Sequence, residues 1–232
     1  MYKRQIEHSL RVEDGIDVVF RATTVMCVER VAGDGHALAR MGDPANPFMA
    51  TIGLLVAPAA AGTGIDFRVD VDVRSLPMYV YKSVDAFHAA MTEYVRLAME
   101  PGLHGWRIPD CVVTLTESGY HSPITTPRDF RDLTPILVRD ALVAAGTVVC
   151  EPIHRFRLDA PVDSLTAIYT LLSRHRAQPA APVISGSWCS VAGDIPAAEV
   201  QPLRSRLPGT THGAGVLEAA FHRYEPVGCP NG

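Results

Sequence analysis

Between Ile65 and Arg74 the chain alternates, with Phe67, Val69, Val71 and Val73 on one side and Arg68, Asp70, Asp72 and Arg74 on the other. That period of two predicts a strand with one buried face. The period then changes. From Lys82 to Met99 the apolar residues Val84, Phe87, Met91, Tyr94, Val95 and Ala98 recur at helical spacing and make one core-facing stripe, which Gly102 ends. Residues 111–117 are rich in β-formers, and Thr126, Pro127 and Asp129 suit the N-cap, N1 and N3 positions of a second helix. That helix carries Phe130, Leu133, Leu137 and Ala141 on one face and stops at Gly146, and Pro135 inside it predicts a kink.

Two further apolar stretches set the boundaries. Phe48 to Ile65 is broken by Pro58, Gly62 and Gly64, so it reads as strand, turn, strand rather than a membrane helix, which needs about 20 unbroken apolar residues. The last third reads as strand (153–160), helix (162–174), strands near Val183 and from Trp188 to Ala192, helix (197–206) and strand (216–224). That is the βαββαβ order of a ferredoxin-like domain. The predicted class is α+β: an incomplete N-terminal piece (1–31) with a helix end and a strand at Ile16 to Phe20, a Gly-, Asp- and Pro-rich linker (32–47), an α+β unit (48–149), the ferredoxin-like unit (150–226) and a tail (227–232).

Composition narrows the chemistry. Hydrophobic residues make up 47% of the 232 and charged residues 20%, which supports packed cores rather than disorder. The five cysteines are scattered without a Cys-x-x-Cys pair, as reduced thiols in a cytoplasmic protein would be. Net charge is −4. Lys and Arg against Asp and Glu number 8 and 11 over residues 48–149, and 7 and 7 over residues 150–232, so any nucleic-acid contact has to be local, through loops and a few arginines.

No Gly-x-x-x-x-Gly-Lys-Ser/Thr occurs, so this chain is not expected to be an enzyme or to bind nucleotide by itself. None of the nine histidines sits in a zinc-protease pattern, and no metal is expected. His121 beside Ser122 lacks the surrounding nucleophile elbow of a hydrolase. What stands out is the loop from Gly119 to Thr125, where an aromatic, a His, a Ser and a Pro lie between a strand and a capped helix. Projecting loops of this kind grip RNA through aromatic and polar side chains.

Several runs carry a family resemblance: Gly102-Leu103-His104-Gly105-Trp106, Pro109-Asp110-Cys111, the stretch from Tyr120 to Arg131, and Leu133-Thr134-Pro135. These resemble domain IV of the tetracycline ribosomal protection proteins, relatives of elongation factor G, while Glu151-Pro152 and Leu203-Arg204-Ser205 with Gly213 resemble domain V. Ser122-Pro123-Ile124 stands where elongation factor G itself usually carries a His followed by an Asp-Ser-Ser run. The resemblance covers residues 6–226.

It implies a domain IV unit like domain 2 of ribosomal protein S5, followed by a ferredoxin-like domain V. It also implies a C-terminal fragment of a GTPase whose GTP and Mg site lies in a missing domain, acting as a monomer in the cytoplasm without a membrane. The ribosome would be the partner, through the 16S rRNA decoding region and 23S rRNA near domain V, with tetracycline displaced from the A site. The implied tip is Tyr120, His121, Ser122, Pro123 and Ile124. Ala60, Ala61, Gly62, Thr63 and Gly64 with Trp106, Arg107, Ile108, Pro109 and Asp110 are expected as its flanking loops. Arg204, Arg206 and His212 are the expected domain V contacts. An elongation factor G fragment and a ribosomal-protein-like RNA-binding module are the alternatives.

Overall fold

The computed structural model describes residues 25–228; the helix end and strand expected before residue 24 lie outside them. Two sheets organise the rest. The first has four strands, β2 (Gly35–Ala39), β3 (Ala50–Pro58), β4 (Ile65–Val69) and β5 (Cys111–Tyr120), in the order β2-β3-β5-β4. β3 runs antiparallel to both β2 and β5, and β4 runs parallel to β5.

Helices α2 (Val84–Ala98) and α3 (Pro127–Ala145) pack on one face of this sheet, and a single-turn α1 (Met78–Tyr81) precedes α2. The predicted stripe of α2 is buried through Phe87, Met91 and Val95, and that of α3 through Phe130, Leu133, Leu137 and Ala141. Ser83 caps α2 by accepting from the Ala86 N–H at 3.1 Å, which starts the helix at Val84 rather than Lys82. α3 continues through Pro135, which lies on its exposed side and cannot donate to the Arg131 carbonyl four residues earlier.

The second sheet has six strands and supports α4 (Leu165–Arg174) and α5 (Ala197–Thr210). Its long central strand β6 (Thr147–Pro161) lies between β10 (Val216–Pro226) and β9 (Trp188–Pro196). The far edge of β9 pairs with the short strands β7 (Gln178–Pro179) and β8 (Val183–Ser185). This gives the ferredoxin-like arrangement expected, built on Phe156, Leu158, Ile168, Leu172, Val191, Ile195 and Leu203.

Three local expectations change. Residues 35–39, placed in a linker, form the edge strand β2, and Gly35 is required there because a Cβ would come within 2.1 Å of the Ala141 carbonyl oxygen of α3. β1 (Val28–Val31), placed in an incomplete preceding domain, is instead a strand of the second sheet, paired with residues 147–150 of β6. The strand predicted over residues 65–74 stops at Val69, since Asp72 accepts from the Arg74 N–H at 2.8 Å and starts a 3-10 turn over Val73–Ser75. Alternation alone could not detect that cap.

Candidate nucleic-acid interface

The register of the first sheet decides which loops meet. Ala50 pairs with Tyr120 at one end of β3 and β5, and Pro58 pairs with Cys111 at the other. Eight residue steps at about 3.4 Å each put these ends roughly 27 Å apart. The projecting loop follows Tyr120. Ala60 to Gly64 follow Pro58, and Trp106 to Asp110 precede Cys111, so both expected flanking loops lie at the opposite end of the sheet from the tip. There they bind each other: Asp110 accepts from the Gly64 N–H at 2.9 Å, and the Gly64 carbonyl accepts from the Cys111 N–H at 3.2 Å. Ile108 and Asp110 are buried and belong to the fold.

The loops beside the tip are different ones. Residues 40–49, between β2 and β3, and residues 70–82, between β4 and α2, reach the same end as residues 121–126. Buried Thr125, 2% exposed, joins all three. Its hydroxyl accepts from the His121 N–H at 2.8 Å and donates to the Met49 carbonyl at 2.5 Å, while its own carbonyl accepts from the Tyr79 hydroxyl. The His121 carbonyl accepts from the N–H groups of Ile124 and Thr125 at 2.8 and 2.9 Å. Asn46, 9% exposed, shapes the 40–49 loop: its amide donates to the Arg40 and Ala50 carbonyls at 3.1 and 2.9 Å, and its oxygen accepts from the Phe48 N–H at 3.0 Å.

This framework leaves His121, Ser122, Pro123 and Ile124 exposed on an anchored turn, with a cis peptide between Ser122 and Pro123. Tyr120 is different. It ends β5, is half-buried, and its ring packs on Tyr79 at 5.5 Å between centroids, so it supports the loop rather than offering a free face. The same end presents exposed Arg74, Lys82 and Arg128, although Arg128 is engaged with Asp132 at 2.9 Å. Asn46 lies between Pro44 and Pro47 in a run that reads as a linker, and a polar turn residue there is the one visible sign of a built loop. Nothing in the sequence marks Tyr79 or Met49.

The start of α3 fastens the tip from below. The Asp129 carboxylate accepts from the Thr126 N–H and hydroxyl, both at 2.7 Å, and from the Met49 N–H at 3.1 Å. Burial opposes ionisation of Asp129, but these hydrogen bonds outweigh it and hold the carboxyl below its usual pKa. The stabilisation is therefore fully present above the unfolded-state value of about 3.9 and is lost as pH falls through the lower folded value. Carboxyl-carbon NMR is expected to give Asp129 a midpoint below about 3.9, and Asp129→Asn should remove this acid-dependent loosening of residues 121–126. A midpoint at or above the ordinary value would contradict it.

In the second unit, Arg204 and Arg206 are exposed on α5, and His212 lies just past its end with φ of 52°. They sit apart from the tip, on the other sheet's helix layer. Among the described residues no group of His, Cys, Asp and Glu side chains is placed to hold a metal ion, and no helix is long and apolar enough to cross a membrane.

Comparison with known proteins agrees with this division. Residues 29–146 match the family described as elongation factor G, domain IV, and residues 148–229 match elongation factor G C-terminus. The oxytetracycline resistance protein of Streptomyces rimosus is 35% identical over 93% of this chain and 32% of that protein. The tetracycline resistance protein TetM of Streptomyces lividans is 37% identical, over 90% of this chain and 32% of that protein. The chain thus spans about a third of the length of these relatives. A crystal structure from Thermus thermophilus superposes with a TM-score of 0.74 at 21% identity, covering 98% of this chain and 33% of that one, and shares the fold. With one family matched across the unit that carries the tip and the other across the ferredoxin-like unit, the chain belongs to the elongation factor G family and carries its domain IV followed by its C-terminal domain.

Proposed function

We propose that this chain is the ribosome-binding part of a translation factor of the tetracycline ribosomal protection type, working in the cytoplasm. The end of the first sheet enters the decoding region of 16S rRNA, and the C-terminal unit lies against 23S rRNA. The observation that carries this reading is the Thr125 junction, which presents exposed His121, Ser122, Pro123 and Ile124 on a turn tied to two neighbouring loops. A turn ordered before contact loses less entropy on docking. Its polar groups suit the edges and backbone of unpaired RNA.

Relatives named for tetracycline resistance, and Ser122-Pro123-Ile124 at the tip, favour drug release over translocation. In this reading the tip displaces tetracycline from the A site, and GTP and Mg act in another domain of the parent protein. Because the described surface is not broadly basic, binding of the chain alone should be modest and lessen as salt rises. The test is sedimentation of the purified chain with 30S subunits over a salt series. Saturable binding that weakens with salt is expected, and no saturable binding at low salt would sink the proposal.

A further inference from the structure

We infer that the Glu29 carboxylate is a latch that locks the two units into one rigid body and so fixes the direction in which the tip points. The inference concerns the chain's own mechanics and holds whether or not the tip meets a ribosome.

The chain passes between the units twice in the described residues, from β1 to β2 and from α3 to β6. The two passages lie side by side, since the Ala32 N–H donates to the Gly146 carbonyl at 3.0 Å and Val31 pairs with Thr147. Two adjacent passages make a narrow pivot, and Gly33 and Gly146 stand within it. Val31 of β1 also packs into the core of the first unit, so the joint carries an apolar contact as well. A polar tie from β1 to a second segment of the first unit stiffens such a joint further.

Glu29 supplies it. It stands on β1 beside the pivot and is 0% exposed. One carboxylate oxygen accepts from the His104 and Trp106 N–H groups of the first unit, at 2.8 and 3.0 Å. The other accepts from the Thr147 hydroxyl, at the start of β6 in the second unit, at 2.8 Å. The Glu29 N–H also donates to the Arg107 carbonyl at 2.9 Å. A buried carboxylate is costly without such donors, and these donors would be left unpaired without it.

The loop is shaped around this group. A Cβ on Gly102 would come within 2.6 Å of the Glu29 carboxylate and 2.5 Å of the Trp106 carbonyl, and Gly105 turns the chain with φ of 85°. The Gly102-Leu103-His104-Gly105-Trp106 run is thus a carboxylate clamp. Its last residue, Trp106, is expected from sequence to flank the tip, and the run sits instead at the joint.

Nitrogen-15 relaxation of the whole chain tests the latch, with Glu29→Ala, Glu29→Gln and Gly102→Ala beside the unaltered protein. The unaltered chain should tumble as one body. Glu29→Gln should do the same, since its carbonyl still accepts from the two N–H groups and its amide can donate to Thr147. Glu29→Ala and Gly102→Ala should give separate rotational correlation times for residues 35–145 and 147–226. They should also speed exchange of the His104 and Trp106 amides about tenfold or more, as loss of a charge-assisted hydrogen bond would. If Glu29→Ala does not fold, Gly102→Ala takes its place, its added methyl group crowding both the Glu29 carboxylate and the Trp106 carbonyl of the loop that holds it. Single-body tumbling in the variants that fold, or separation in Glu29→Gln as complete as in Glu29→Ala, would overturn the inference.

Discussion

Replacing Ser122, Pro123 and Ile124 together with glycine is expected to weaken binding to 30S subunits by about a hundredfold while changing stability by only about 1 kcal/mol. The first figure corresponds to two lost contacts at about 1.4 kcal/mol per decade. The second follows from exposure: all three side chains lie on the surface, and the hydrogen bonds of Thr125 with His121, Met49 and Tyr79 do not involve them. Exposed substitutions away from such bonds typically shift stability by about 0.5 kcal/mol or less, and exchanging proline for glycine adds about 0.4 to 1 kcal/mol through the unfolded chain.

The opposite end of the sheet supplies the control. Changing Ala60, Ala61 and Thr63 to serine, aspartate and serine should leave binding within about twofold, because that loop lies roughly 27 Å from the tip. Sedimentation and thermal melts on both variants decide the matter. Equal loss of binding in the two would remove the tip from its assigned role, whereas unchanged binding in a folded glycine variant would do so outright.

The largest stability effect is expected at Phe130. Truncation to alanine should cost about 3 to 5 kcal/mol, the range for a buried phenylalanine whose cavity does not collapse. The ring is 0% exposed and sits at the meeting point of α3, α2 and α1. It packs edge-on against Phe87 at 5.6 Å and 87°, and against Tyr81 at 6.1 Å and 88°. Pairs in that geometry contribute about 0.5 to 1.5 kcal/mol beyond the area they bury. Phe130 also follows Asp129 directly, so the same turn of α3 holds both the core and the floor of the tip. Urea unfolding followed by circular dichroism measures the change. A loss below about 1 kcal/mol would mean that this aromatic cluster is not the centre of the first core.

Local pattern carried much of this molecule. The α2 and α3 stripes, the capped start of α3, the βαββαβ order of the second unit and the exposed turn after β5 were all legible. Each depends on residues a few positions apart: helical spacing selects a face, Thr126 and Asp129 satisfy one helix end, and Pro123 marks a turn. The resemblance to domain IV and domain V likewise rested on short ordered runs.

Tertiary structure decided which of these pieces meet. β3 and β5 run in opposite directions, so the loop leaving β3 and the loop leaving β5 emerge at opposite ends of the sheet, and no local pattern reports that pairing. A run rich in Gly, Asp and Pro concealed β2, because Gly35 is demanded by the approach of α3 and not by a turn. Thr125, Tyr79 and Glu29 matter through distant partners: Tyr79 and Thr125 are 46 positions apart, and Glu29 and Thr147 are 118 apart. Hydrogen bonds to buried side chains at such separations exist only once the chain has folded. The sequence by itself therefore determined the elements and the exposed turn, and only the packed fold determined what holds that turn and where it points.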